Sequence, residues 1–357
     1  MLEGLDAIPW AKLTHAYGSA EDVPEALRAI AGTERDREKP PVLQLFGTIY
    51  HQGTVYEATA YAVPFLIVLA ANPHARDRAV ILQLLAAVAG GTSYCAVHGN
   101  ILDSVEFEKQ KDKERAWVAA AHKAVASGVE TFLALTAEEG EIRLAAAHLL
   151  AQLSGYMTIV RPHLRMLLSR ESRPLYRAGL LLLLGHCGDR SGIGLSMLHE
   201  ALAATETVER LAAAVAIARL GPQKLSDPAR EAILGALTMN DLDTAFRGLP
   251  WDVEVSQYDL LTCLDTTTRD EAANRLIVAI EKGAAPQQID LLLEILFSRT
   301  EPEASPWRPS ELSRLQHRGV EAIARIALCE GPLFLRSLRK WGLPDTKRGW
   351  VDFLADC

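Results

Sequence analysis

Two stretches of the N-terminal third concentrate side chains that can exchange protons, stack and hydrogen bond. One is IYHQGTVYEATAYAVPFL, with Tyr50, His51, Gln52, Tyr56, Glu57 and Tyr61. The other is GGTSYCAVHGNILDSVEFE, Gly90–Glu108, with Tyr94, His98, Asn100, Asp103 and Glu106. An imidazole titrates near neutral pH, so His51 and His98 are candidate proton exchangers. Glu57 and Glu106 are candidate proton acceptors. Tyr50, Gln52, Tyr56 and Tyr94 supply aromatic walls and directional hydrogen bonds. If residues 50–57 and 92–106 converge, they make a mostly apolar pocket with a few polar groups, the usual composition of a small-ligand site. The packing alternative puts Tyr50 and Tyr56 in the core, His51 at a turn and 92–106 in a mobile loop.

A third stretch, Asn240–Asp259, holds Arg247, Trp251, Asp252, Glu254 and Tyr258. A carboxyl against an indole has the apolar setting that raises a pKa for acid–base work, so Trp251 and Asp252 join the ligand-binding candidates. Ser298–Ser310 carries Pro302, Pro306 and Pro309, which forbid a continuous helix. The sequence has no Walker loop, GxSxG elbow, HExxH motif or EF-hand loop. His186 and Cys187 are sequence neighbours, and on a helix neighbours point about 100° apart, too far for a nucleophile–base pair. His15, His51, His98, Asp103 and Glu106 lack the spacing of a metal site, so no metal and no cofactor is expected. His122, His148, His163 and His199 sit on helical patterns and read as packing or surface residues.

The elements that must position these groups repeat along the chain. Arg143 opens RLAAAHLLAQLSG, Arg177 opens RAGLLLLLGHCG and Arg210 opens RLAAAVAIARLG, 34 and 33 residues apart. Each run ends at a glycine, Gly155, Gly188 or Gly221, where a left-handed conformation would stop a helix. Weaker copies begin at Arg78 and Arg318. Met157–Leu168, Ile193–Leu202 and Pro228–Leu237 show helical spacing and read as partner helices. One helix pair cannot bury its apolar face alone, and stacking neighbours solves the problem. The recurrent arginines read as ties within the scaffold, with a phosphate-binding row as the alternative. Thr54 and Glu57 have capping-box spacing and predict a helix start, as Ser19 and Asp22 do upstream. Pro64 predicts a kink or an end in the helix that follows.

Glu138, Ile142, Arg143 and Ala146, and more loosely Val208, Arg210 and Ala213, resemble the opening of the second helix of a HEAT repeat. HAYGSAEDVP, YHQGTVYEAT and AVPFL resemble segments of a group of bacterial HEAT-repeat proteins, many from actinobacteria. The resemblance implies an all-α, right-handed α-solenoid of HEAT-like helix pairs over residues 1–357. Its repeats would be irregular over 1–136, regular over 137–240 and irregular again over 241–357. It brings no catalytic residues. Trp251 with Asp252 also resembles, in residue type alone, the base-holding pair of helical-repeat DNA glycosylases.

Composition narrows the function. The net charge is −8, which argues against a nucleic-acid partner, since phosphate binding needs cations. The basic residues between Arg161 and Arg177, and Arg336, Arg339, Lys340, Lys347 and Arg348, would carry a repair function if there were one. Five dispersed cysteines with no CxxC pair fit reduced thiols. No signal peptide or membrane-length apolar run is evident, so the cytoplasm is expected and no membrane partner. Scaffolds of this type present preformed surfaces, and Trp and Tyr in the breaks are common interface anchors. The leading expectation is a binding module holding a protein partner, as an immunity or pathway-accessory protein would. The alternative is a small-molecule or catalytic site in the N-terminal repeats. A nucleic-acid repair role stands third.

Overall fold

The computed structural model describes residues 2–32, 40–98, 104–221, 225–240, 242–253, 255, 257–283, 286–298, 307–329 and 332–356. These residues are mostly helical, with two short hairpins, and fall into two compact units. None of the described helices is long and apolar enough to cross a membrane.

The first unit comprises residues 1–194 and 248–252. Its helices are α1 (Val23–Ala31), α2 (Pro41–Thr48), α3 (Thr59–Ala71), α4 (Arg78–Gly90), α5 (Tyr94–His98), α6 (Ser104–Ala126), α7 (Val129–Leu135), α8 (Glu141–Gln152), α9 (Met157–Arg170) and α10 (Pro174–His186). Helix α1 packs on α2, α3 on α4, α7 on α8 and α9 on α10. The second members also pack in a row, α2 on α4, α4 on α8 and α8 on α10, while α3 contacts α1 and α7. The sequence explains which row lies inside. Helix α8 buries Leu144, Ala145, Ala146, Ala147, Leu149, Leu150 and Ala151, and α10 buries every residue from Ala178 to Gly185. Helices apolar all round must be enclosed, and small alanines let neighbours approach closely. Helix α6 interrupts the alternation and lies against α3 and α4.

An arginine at the head of α4, α8 and α10 closes the helix before it. Arg78 Nε donates to the Ala70 carbonyl at the end of α3 at 2.7 Å. Arg143 Nε donates to the Thr136 carbonyl after α7 at 3.1 Å, and Arg177 Nη1 to the Leu168 and Glu171 carbonyls of α9 at 3.1 and 3.0 Å. A helix leaves its last carbonyls unsatisfied and carries negative potential there, so a guanidinium serves both needs. The same side chains reach forward. Arg78 makes a two-pronged pair with Glu138, beyond α7, at 2.8 and 2.7 Å, and Arg143 reaches Glu171, beyond α9, at 3.5 Å. Hydrogen bonding from Arg173 pulls the Glu171 carboxyl down to about 2, so it stays ionised for both arginines.

The second unit comprises residues 195–247 and 253–357. Its helices are α11 (Gly192–Ala201), which starts at the boundary, α12 (Thr207–Arg219), α13 (Asp227–Leu237), α14 (Gln257–Thr262), α15 (Thr266–Glu281), α16 (Pro286–Phe297), α17 (Arg314–Ala327), α18 (Pro332–Leu338) and α19 (Lys347–Ala355). Helix α13 packs on α12, α14 and α15, while α15 and α16 both pack on α17. Arg210 repeats the closing bond, donating to the Ala204 carbonyl after α11 at 2.8 Å. Arg318 does not: its partner is the Asn274 side chain. The end of α13 is closed instead by glutamine amides. Gln257 Nε2 donates to the Leu237 and Met239 carbonyls, and Gln288 Nε2 to the Thr238 carbonyl.

Several local expectations are corrected. Residues 50–55 form a hairpin, and the next helix starts at Thr59 with Ala58 in the N-cap position, so Thr54 and Glu57 are not a capping box. Asp22 stands at the N-cap of α1 but its carboxylate is engaged by His15 and Gln44. Pro64 does not end α3, which runs on to Ala71 with Pro64 inside it. Gly188 and Gly221 take positive φ, whereas Gly155 lies in a 3-10 turn, Ser154–Tyr156, without it. The polar stretch from Gly90 to Glu108 contains α5 and the start of α6, with one α5 backbone donor, Cys95 N–H, taken by the Glu114 carboxylate of α6.

The closing bonds predict a graded cost. Arg143→Ala should lower unfolding free energy by about 2–3 kcal/mol, the worth of charge-assisted bonds to partly buried groups. Arg318→Ala should cost less than about 1 kcal/mol. Urea midpoints for the two variants check the order.

Candidate functional site

The two N-terminal hairpins build one surface. Strand β1 (Thr14–His15) pairs with β2 (Gly18–Ser19), and β3 (Tyr50–His51) with β4 (Thr54–Val55). The β3–β4 turn has Gln52 at φ 48° and Gly53 at φ 88°. Two consecutive positive φ values mark the type I′ turn that suits the twist of a two-residue hairpin. Glycine takes this conformation freely, but glutamine there costs about 1 kcal/mol. The Thr54 hydroxyl donates to the His51 carbonyl at 2.7 Å and shares a hydrogen bond with the Tyr56 hydroxyl at 2.8 Å. Main-chain bonds join the hairpins to their surroundings: Ala58 N–H to the Thr14 carbonyl, and Ala16 N–H to the Thr48 carbonyl.

Main-chain bonds also join the second hairpin to α5. Val55 N–H donates to the Thr92 carbonyl at 3.0 Å and Thr92 N–H to the Gly53 carbonyl at 2.9 Å. Helix α5 is then fixed from α6: the buried Glu114 carboxylate accepts Cys95 N–H at 2.8 Å and the Gln110 amide at 3.0 Å. Segments 50–57 and 92–98 are therefore neighbours. Asn100 and Asp103, and the side chain of Glu106, lie outside the described residues, as does Glu254.

The surface side chains meet in pairs. Tyr17 and His51 have ring centroids 5.4 Å apart, edge to face, and Tyr94 and His98 are 4.3 Å apart. Tyr17, Tyr94 and His98 are exposed and His51 is half-buried. Tyr56 is near both Tyr17 and Tyr94. Burial raises its pKa, and Tyr94, Glu114 and Tyr17 are close enough to raise it further. His15 accepts Tyr17 N–H at Nδ1, which leaves the proton on Nε2 to be donated to Asp22 at 2.9 Å. That bond fixes the base of the Tyr17 loop.

Not every expected residue joins this surface. Tyr50 packs edge-on against Phe46 at 6.1 Å. The Glu57 carboxylate accepts the Thr14 hydroxyl at 3.2 Å, whereas Gln52 is exposed at the turn beside His51. Trp251 stacks on His148 of α8, centroids 4.6 Å apart and 14° from parallel. Gly179 of α10 makes room for it: a Cβ there would stand 2.9 Å from Leu249 and 3.2 Å from Trp251. Asp252 is exposed. Sequence reasoning missed Glu114, which reads as one charge among many in EFEKQKDKER, and the contacts of Tyr17 and His148.

The Glu114 oxygens are committed to Cys95 N–H and Gln110. Burial, and then Glu114, push the Cys95 thiol up, and burial pushes the Cys187 thiol to about 12, so neither is an activated nucleophile. Among the described residues no group of three or more His, Cys, Asp or Glu side chains is gathered as a metal would require. No family model matches the chain, and no curated protein is similar to it.

His148 supplies a pH test. Burial, reinforced by His186, holds its pKa down to about 4, against 6.5 when free. The unfolded chain therefore takes up a proton below pH 6.5 that the folded chain refuses until about pH 4. Stability present above pH 6.5 is lost as pH falls through this window, by at most about 1.4 kcal/mol per pH unit. His148→Phe keeps the stack on Trp251 and should remove this component, seen as a flatter urea midpoint between pH 7 and 4.5 than the wild type gives.

Proposed function

We propose that this chain is a cytoplasmic binding module, a right-handed α-solenoid of HEAT-like helix pairs that holds a protein partner on the Tyr17, His51, Gln52, Tyr94 and His98 surface. The observation that carries the proposal is the exposure of large aromatics on braced elements: Tyr17, in the turn of the first hairpin, is 71% exposed and Tyr94, at the start of α5, 40%. A core has no use for these rings, and Tyr is a residue type over-represented among interface anchors. The strained tip at Gln52 adds support, since backbone strain collects at ligand clamps and is offset elsewhere in the fold. The row of helix pairs supplies rigidity, so little freedom is lost when a partner docks. Exposed Glu21 and half-buried Glu57 flank the surface, which favours a partner with basic side chains there.

A small-molecule reading has one observation in its favour. A cleft of about 430 Å³ lies between residues 92–96 and α6, with Ser93, Lys111, Arg115 and His122 on its walls. Two of its cations already face carboxylates, Lys111 with Glu108 and Arg115 with Asp112. The protein-partner reading is therefore preferred.

The test is affinity capture on the intact chain, followed by reconstitution of each captured protein from purified components. Replacing Tyr17 and Tyr94 together by Ser should raise Kd by about 30-fold or more, the mark of an interface anchor. The melting temperature should move by no more than about 2 °C, because both rings stand outside the core. A partner whose affinity is indifferent to both rings would contradict the assignment of this surface.

A further inference from the structure

A second cleft, in the second unit, lies where the end of α11, the start of α12 and one face of α13 meet. It encloses about 410 Å³, within the range of small-ligand sites. From α13 it is lined by Glu231, Ala232, Gly235 and Ala236, continuing to Met239 just past the helix end. Residues spaced three and four apart on a helix share a face, so this wall is a property of the α13 sequence. Leu202, just past α11, and Arg210 and Leu211 of α12 are also in the lining.

The two charged residues of the lining are opposite in sign and already engaged. Arg210 donates to the Ala204 and Thr205 carbonyls and to the Thr207 hydroxyl. Both Glu231 oxygens accept from Arg275, which is not part of the lining, at 2.8 and 3.0 Å. A ligand of either sign would meet one repulsion for each attraction, and would have to compete for groups that are taken. The rest of the lining is mostly apolar, with Leu202, Leu211 and Ala236 buried.

Packing gives no reason for Gly235. Its φ is not positive, and a Cβ there would meet no atom within 4 Å. Neither the backbone nor the neighbours require a glycine, and within a helix glycine is less stable than alanine. Gly179 shows the contrast, since a Cβ there would crowd Leu249 and Trp251. At 235 the missing side chain leaves an exposed stretch of α13 backbone open to the cleft. Close approach of a ligand to the backbone is one use of such a glycine. With Ala232 and Ala236 beside it the wall is also flat, and a flat ring covers it best.

We infer that this cleft binds a small uncharged molecule with a flat apolar body, laid against Gly235 and Ala236 of α13. Met239, unbranched and adaptable, closes over ligands of somewhat different outline. The site is independent of the aromatic surface, so either can fail alone.

The probe is naphthalenemethanol, compared with naphthoate and naphthylmethylammonium, which put a negative or a positive charge on the same ring system, by titration calorimetry on the intact chain. The alcohol should bind at least about fivefold more tightly than either ion. Gly235→Leu puts a side chain into the cleft and exchanges glycine for a strong helix former. Its melting temperature should therefore not fall, while its affinity for the alcohol drops at least about tenfold. Gly235→Ala should raise the melting temperature and weaken binding less. Equal affinity for the alcohol and an ion, absence of binding at millimolar alcohol, or an alcohol affinity within about twofold of wild type in Gly235→Leu would each overturn the inference. So would a lower melting temperature in Gly235→Ala, because the fold itself would then need the glycine.

Discussion

An arginine at the head of the second helix, donating to the last carbonyls of the first, is the constraint on which the helix pairs depend. Helix ends are the weakest part of a helical protein, because four carbonyls at each C-terminus have no partner within the helix. Here Arg78, Arg143, Arg177 and Arg210 meet that need from the next helix, fixing the angle and spacing of each pair. Arg78 and Arg143 also reach a carboxylate in the following pair. One side chain thus sets geometry within a pair and between successive pairs. The Ala and Leu of α8 and α10 supply burial energy but little direction, and the guanidinium supplies the direction.

Where the pairs are interrupted, the chain gains features that packing does not require. Two hairpins stand next to α1–α3, each braced by buried polar bonds, His15 to Asp22 in one and Thr54 to Tyr56 in the other. Their outer side chains, Tyr17 and His51, are left in contact with each other and with solvent. The 248–252 segment shows the opposite outcome. It too is a break carrying an aromatic residue, yet Trp251 is used inward, stacked on His148 in the space that Gly179 leaves. A Trp in a break is therefore no indicator of a surface by itself, and its neighbours decide.

The scaffold was largely legible in the sequence, because its signals are local. Arg-led apolar runs at a spacing of 33 and 34 residues fall on α8, α10 and α12, and the partner segments fall on α9, α11 and α13. The N-terminal surface was legible in part. His51, Tyr94 and His98 stood out by residue type, but Thr54 and Glu57 mimic a helix start, and a Gln–Gly turn lacks the Asn or Asp that usually announces type I′. Long-range contacts left no sequence signal: Glu114 looks like a solvated charge, and Gln288 like any polar residue at a helix start.

The central claim is that the Arg78 and Arg143 guanidiniums couple one helix pair to the next, and a double-mutant cycle on Arg78 and Glu138 tests it most directly. These groups are 60 residues apart and make two bonds, at 2.8 and 2.7 Å. Unfolding free energies of Arg78→Ala, Glu138→Ala and the double variant should reveal a coupling of about 1–3 kcal/mol. Effects that add to within about 0.3 kcal/mol would show that the pairs are held by apolar contact alone and would contradict the account.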